Sequence, residues 1–208
     1  MIETTGLIAY IAIVLGFVFI PGPATLLTIT RAAGSGTKVG IATGIGIAAG
    51  DLFHTSMAIL GISALIAASA ALFSVIKYIG AGYLVFLGVR AMLEKIPAEF
   101  PTGGVPLSAR KAFRQAVLVE VLNPKTALFF LAFLPQFVRP EYGSIALQLA
   151  LLGTLFVCLG LISTIVYAVS AGRLGRFLKR HPKVLRRQGK VIGTVYCALG
   201  ARLALEHR

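Results

Sequence analysis

Charged side chains are scarce in this sequence of 208 residues, where Asp, Glu, Lys and Arg together make up 13%. Soluble domains carry about 25% of these residues, so the scarcity argues against a soluble fold. Hydrophobic residues account for 57% of the chain. They form blocks of about 20 residues or more, the length of helix that crosses a bilayer. The blocks are apolar throughout, which predicts an all-α integral membrane protein.

Cysteine and histidine are also scarce. The two cysteines, Cys158 and Cys197, lie inside apolar segments and lack the spacing of metal ligands. The three histidines, His54, His181 and His207, are scattered between an apolar block, a basic stretch and the C-terminus. A membrane-embedded enzyme would need a nucleophile beside a base, or clustered metal ligands. We therefore predict that the protein is not an enzyme and uses no cofactor or metal.

Acidic residues number only 7 against 20 Lys and Arg, which leaves a formal net charge of +13. The basic residues cluster between apolar blocks, where membrane topology explains them, so no nucleic-acid partner is predicted. The first residues, MIETTGL, contain no basic side chain ahead of the apolar run. This start does not resemble a cleaved secretory signal.

The apolar blocks predict six membrane spans within a single domain, 1–208. A polar stretch rich in Pro and Gly, 94–112, separates a first half, 1–93, from a second half, 113–208. The last span is short and contains Arg202, so it either crosses the bilayer or lies in its interface. The spans are predicted at about 6–30, 40–65, 72–93, 113–137, 145–170 and 190–206.

Lys and Arg predict the orientation. Most of them lie in the loops after spans one, three and five, which are therefore predicted to be cytoplasmic. Both termini are then predicted outside, and the C-terminus stays inside if the sixth span does not cross. The most basic stretch, 173–190, is also expected to contact anionic lipid headgroups.

Proline interrupts the first span of each half. Pro21-Gly22-Pro23 lies in span one, and Asn123-Pro124 lies in span four. Because each half has three spans, the halves run in opposite directions, as in inverted-repeat transporters. The interruptions are either kinks that aid packing or breaks that line a wet cavity, where freed backbone groups are tolerated. A helix starting at Pro23 would suit a bound carboxylate.

Ionisable residues inside the spans are the next candidates. Asp51 lies midway along span two and shares a helix face with His54, while Glu120 and Lys125 flank the break of span four. A charge at such depth costs at least about 3 kcal/mol. Asp51 has two possible roles. It could form an ion pair with Lys125 or Lys77 that holds helices together, or its carboxylate could bind a proton or an ammonium group. We favour the second interpretation, and the role of His54 as ligand or proton relay is left open.

Glycines recur at intervals of four in span two, at Gly40 and Gly44 and again at Gly46 and Gly50. Small residues at this spacing let helices approach closely. The contact could lie within one chain or between the chains of a homodimer.

Three longer motifs complete the pattern: PGPATLLTITRAAGSGTKVGIATGIGIAAGD, KYIGAGYLVFLGVRAM and NPKTALFFLAFLPQF. In combination, over about residues 10–205, they resemble the LysE/RhtB family of amino-acid exporters. The family motif positions are Pro21, Gly22, Pro23, Gly50, Asp51, Lys77, Gly80, Tyr83, Leu84, Gly88, Asn123, Pro124, Lys125, Pro135 and Gln136.

The resemblance implies a bacterial inner-membrane exporter of amino acids or their derivatives, driven by the proton gradient. Its partners would be a small zwitterionic substrate and protons. The expected mechanism is antiport by alternating access, with the substrate carboxylate beside Gly22-Pro23 or Lys125 and its ammonium group beside Asp51 or, as second choice, Glu120. The alternative is a structural or assembly subunit that transports nothing. The candidate site comprises Pro21, Gly22, Pro23, Asp51, His54, Glu120, Asn123, Pro124, Lys125 and Gln136.

Overall fold

The structure is a computed structural model that describes residues 4–19, 22–68, 70–93 and 107–180, and scattered positions between 190 and 205. Every regular element in these ranges is helical, which confirms the predicted all-α class. A π-helical turn, Phe129–Phe133, and two 3-10 turns, Leu134–Phe137 and Pro140–Tyr142, precede the last helix. The α-helices are α1 (Thr4–Val18), α2 (Pro23–Ser35), α3 (Thr37–Ala68), α4 (Ala70–Leu93), α5 (Ala109–Val121), α6 (Pro124–Leu128) and α7 (Ile145–Arg180).

Two helix boundaries differ from the sequence prediction. Helix α5 begins at Ala109, inside the predicted loop, because the Ser108 hydroxyl caps it by accepting a hydrogen bond from the Lys111 amide at 3.3 Å. Helix α7 continues to Arg180, so the first part of the basic stretch 173–190 is helical. Leu, Arg and Lys favour helix, and the sequence reaches a proline only at Pro182.

Helix α1 ends at Val18 and its last carbonyl groups are taken up by α7. The Ser163 hydroxyl donates to the Val18 carbonyl at 2.8 Å, and the Tyr167 hydroxyl donates to the Phe19 carbonyl at 2.7 Å. Carbonyl groups at a helix end have no partner within the helix, and leaving them unpaired in lipid costs several kcal/mol. Helix α7 therefore stabilises the point at which α1 stops.

The junction between α5 and α6 is held by Asn123. Its Oδ1 accepts a hydrogen bond from the Lys125 amide at 3.1 Å and so caps α6, which begins at Pro124. The chain bends here by 45° between Ala109–Val121 and Pro124–Phe137.

Helix α3 packs closely against three neighbours through its glycines. Gly40 approaches α2, Gly44 approaches α7, and Gly46 and Gly50 approach α5. A Cβ atom added to Gly50 would lie 2.6 Å from the Cβ of Glu120, closer than real Cβ atoms come. The close packing predicted from the repeated glycines is therefore made within this chain.

A stack of phenylalanine rings joins α1, the π-helical turn and α7. The ring of Phe129 lies 4.5 Å from that of Phe17 and 5.0 Å from that of Phe156, centroid to centroid. All three side chains are buried. Contacts between aromatic rings stabilise a fold by more than the surface area that they bury would provide. The end of α1 is therefore packed firmly against the π-helical turn and α7.

One helix of the described part, Ile145–Ala171, is long and apolar enough to cross a membrane. A second span is present if Ala109–Val121 and Pro124–Phe137 count as one bent helix, and Gly6–Val18 and Tyr78–Arg90 are shorter apolar helices. Six spans in two inverted repeats stay a prediction. Loop 94–106 and 8 of the 17 residues of the predicted sixth span lie outside the described residues.

Candidate functional site

A cavity lies where the end of α1, the start of α2 and the α5–α6 junction meet α3 and α7. Its volume is about 50 Å³, enough to hold water molecules. Its lining combines apolar side chains with acidic, basic and hydroxyl groups. The lining residues are Phe17, Val18, Gly22, Ala24, Thr25, Ile47, Asp51, Glu120, Asn123, Lys125, Thr126, Phe156, Gly160 and Thr164.

Two acidic side chains meet in this cavity. Asp51 on α3 and Glu120 on α5 are 4% and 1% exposed, and their carboxyl groups are close enough to share a hydrogen bond. An ionised carboxylate only accepts hydrogen bonds, so a hydrogen bond between the two groups uses a proton carried by one of them. The pair can therefore hold one proton in a place that is shielded from bulk water.

Glu120 is fixed by neutral donors from its own junction. The Asn123 Nδ2 atom donates to its two carboxyl oxygens at 3.1 and 3.3 Å, and the buried Thr126 hydroxyl donates to its Oε1 atom. The same Asn123 side chain also caps α6. The orientation of the Glu120 carboxyl group is thus tied to the break between the two helices.

Lys125 brings a positive charge into the same cavity. Its Nζ atom lies 4.1 Å from the centroid of the Phe17 ring, a cation–π distance, and within electrostatic reach of Asp51 and Glu120. Gly22 faces it from the start of α2, where an added Cβ atom would lie 3.1 Å from Nζ. A side chain at Gly22 would therefore displace the ammonium group.

His54 is buried beside the pair but does not line the cavity. Its Nε2 atom lies 2.8 Å from the backbone carbonyl of Glu120, and its ring stacks on Phe130 with centroids 6.0 Å apart. Since a carbonyl only accepts, Nε2 carries the hydrogen in this contact. The structure places His54 against the backbone of Glu120.

The predicted candidates divide into two groups. Five of them line one cavity, although they come from three separate parts of the sequence: Gly22, Asp51, Glu120, Asn123 and Lys125.

Two other candidates lie away from the cavity. Pro124 is exposed at the start of α6, and Gln136 is half-buried in the 3-10 turn that follows the π-helical turn; neither lines the cavity. Pro21 and the side chains of Pro23 and Lys77 lie outside what the structure describes. The alternative pairing of Asp51 with Lys77 therefore stays a prediction.

Sequence reasoning missed the hydroxyl groups of the cavity and the contribution of α7. Thr25 and Thr126 follow the two breaks directly and could have been found from that position. Gly160 and Thr164 are four apart on α7, a spacing of small residues that indicates close approach in membrane helices. These residues carry no charge, so nothing else in the sequence indicated that they line the cavity.

Comparisons with known proteins identify the family of this chain. Residues 15–207 match the family model described as LysE type translocator. A Vibrio cholerae protein named "Uncharacterized membrane protein" is 34% identical over 197 residues, which cover 95% of each chain. Two Salmonella typhimurium proteins are also similar: the homoserine/homoserine lactone efflux protein is 28% identical over 88% of each chain, and the leucine efflux protein 26% over 98%. No solved structure matches significantly. This chain belongs to the LysE type translocator family.

Proposed function

We propose that this protein exports amino acids or their derivatives across the bacterial inner membrane, in exchange for protons. The contact between the Asp51 and Glu120 carboxyl groups, inside a cavity that also contains Lys125, carries the proposal. A zwitterion needs an anion for its ammonium group and a cation for its carboxylate, and the cavity contains both. The names of the Salmonella relatives, which are efflux proteins for homoserine and leucine, support the substrate class.

The substrate ammonium group binds Asp51, whose carboxyl group lines the cavity. The substrate carboxylate binds Lys125 or the start of α2, where Ala24 and Thr25 line the cavity. Helix starts carry partial positive charge and expose backbone amides. Both ends of the substrate thus find complementary charge within one small space.

Proton exchange follows from competition for the same acid. A proton that enters from outside neutralises Asp51 and releases the ammonium group outward. The protonated protein then turns to the inside, where Asp51 gives up the proton as the next substrate binds. The substrate moves out and the proton moves in, and the cavity opens to one side of the membrane at a time.

The two helix junctions support the predicted inverted repeats. Gly22 at the start of α2 and Asn123 at the start of α6 line the same cavity, as expected when broken helices of two halves meet at a binding site. In the proposed topology six spans cross the membrane, the basic loops are cytoplasmic and contact anionic lipids, and both termini are outside. A homodimer stays part of the proposal.

Purified protein in liposomes with an imposed pH gradient tests the exchange. We expect Asp51→Asn to reduce proton-driven amino-acid movement to the level of empty liposomes. Glu141→Gln is the matched control, since Glu141 is exposed in the 3-10 turn Pro140–Tyr142. Wild-type exchange by Asp51→Asn would refute the coupling role. A wild-type protein that moves no substrate and co-purifies with a fixed partner would favour a non-transporting subunit.

A further inference from the structure

Gly160 on α7 differs from the glycines that bring the helices together. A Cβ atom added to Gly46 or Gly50 would lie 2.5 or 2.6 Å from its nearest neighbour, so these positions allow no side chain. At buried Gly160 the nearest atom would be Asp51 Oδ2 at 3.5 Å, an ordinary van der Waals contact. Close helix packing therefore does not explain the glycine at position 160.

A side chain at this position would enter the cavity instead. Gly160 lines it between Phe156 and Thr164, which are one helical turn away on either side and line it too. The wall that α7 contributes thus has an aromatic ring at one end, a hydroxyl group at the other, and no side chain in between. The open place lies directly beside the Oδ2 atom of Asp51.

We propose that Gly160 sets the upper size of the substrate side chain by leaving this place empty. The inference rests on the proposed function, because it assumes an amino acid whose ammonium group binds Asp51. The substrate's own side chain then extends along the α7 wall, past Gly160 towards the ring of Phe156. A methyl group at position 160 would narrow this path and take up volume that the side chain of a longer substrate needs.

Gly160→Ala tests the inference, because its added Cβ atom meets no neighbour closer than 3.5 Å. Purified protein in liposomes is offered straight-chain neutral amino acids from glycine to norleucine, one at a time, and kcat/KM for export is measured for each. One methylene group in an apolar pocket changes kcat/KM by about 10–200-fold. We expect the ratio of kcat/KM between the shortest and the longest substrate of the wild type to rise at least about tenfold.

Two further variants make the test decisive. Gly160→Ser adds a side chain of similar size, so the result does not depend on the folding of one variant. Gly61→Ala is the matched control on α3, since Gly61 is exposed and an added Cβ atom has no neighbour within 4 Å. The dependence of its kcat/KM on substrate length, the length profile, should equal that of the wild type.

The outcomes separate the two proposals. If the wild type exports amino acids and both Gly160 variants keep its length profile, the role of Gly160 is wrong and the export function stands. If the wild type exports no member of this series or of a broader amino-acid panel, the proposed function fails, and the role of Gly160 fails with it.

Discussion

The carboxyl group of Asp51 on α3 contacts the carboxyl group of Glu120 on α5, although 69 positions separate the two residues in the sequence. A hydrogen bond between the two groups needs a proton on one of them, because an ionised carboxylate only accepts. Glu120 also accepts hydrogen bonds from Asn123 and Thr126, whereas Asp51 borders the open place beside Gly160. Each acid therefore has a distinct surrounding, and variants of the two should behave differently.

Glu120→Gln should separate binding from coupling. The glutamine keeps the size of the side chain and an oxygen that accepts from Asn123 and Thr126, and its amide donates to Asp51 without a titrating proton. We expect exchange of labelled for unlabelled substrate to continue, while accumulation driven by a pH gradient falls below that of the wild type, because Asp51 no longer shares a proton with Glu120. Glu141→Gln serves as the control, and undiminished accumulation by Glu120→Gln would show that the shared proton plays no part.

Asn123→Asp should damage the site while keeping the helix cap. Aspartate caps helices as well as asparagine does, but it replaces the donor to Glu120 with a second negative charge. A hydrogen bond to a charged group contributes about 1.5–3 kcal/mol, and we expect a loss of stability in this range in denaturant titrations in micelles. Asn123→Ser keeps a cap without the added charge and should lose less. Unchanged stability in both variants, which each lack the Nδ2 donor, would contradict the importance of the Asn123–Glu120 contact.

Ser163→Ala should destabilise the end of α1. The substitution leaves the Val18 carbonyl without its donor from α7, and an unsatisfied buried group costs about 1–3 kcal/mol. The control is Ser56→Ala, because the exposed Ser56 hydroxyl donates only to the Leu52 carbonyl of its own helix, which is already part of the helical ladder. Thermal unfolding in detergent should show a lower Tm than that of the wild type for Ser163→Ala and an unchanged Tm for Ser56→Ala.

Gly50→Ala should separate α3 from α5. The new Cβ atom would lie 2.6 Å from the Cβ of Glu120 and 3.3 Å from the Val121 amide nitrogen, so backbone must move. Overpacking of this kind costs about 1–3 kcal/mol, and the shift would also part the two carboxyl groups. We expect a lower Tm together with reduced transport. Gly82→Ala, on α4 and with no neighbour within 4 Å of its Cβ position, should change neither quantity.

The principal site residues were predictable because charge in an apolar run is conspicuous. Asp51, Glu120 and Lys125 stood out against their surroundings, and the prolines marked the places where α2 and α6 begin. The motifs also indicated the family, which the family match confirms. The helix ends were predicted less accurately. The serine cap places the start of α5 earlier than predicted, and α7 continues further because no proline stops it.

The contribution of α7 could not be predicted in the same way. Ser163 meets the Val18 carbonyl across 145 positions in sequence, and no local pattern reports a contact at that distance. Gly160 looked like any other small residue of an apolar helix. Its position in the cavity wall depends on how α7 packs on α1 and α3.

The sequence alone determined the helical class, the prolines at which α2 and α6 begin and the residues that carry charge. These properties are local, because they follow from hydrophobicity, from the missing amide of proline and from the cost of placing charge in hydrocarbon. The tertiary structure decided that Asp51 meets the carboxyl group of Glu120 and that Lys125 lies on the ring of Phe17. Such partners are set by the close approach of whole helices at their glycines, which depends on the packing of the entire chain.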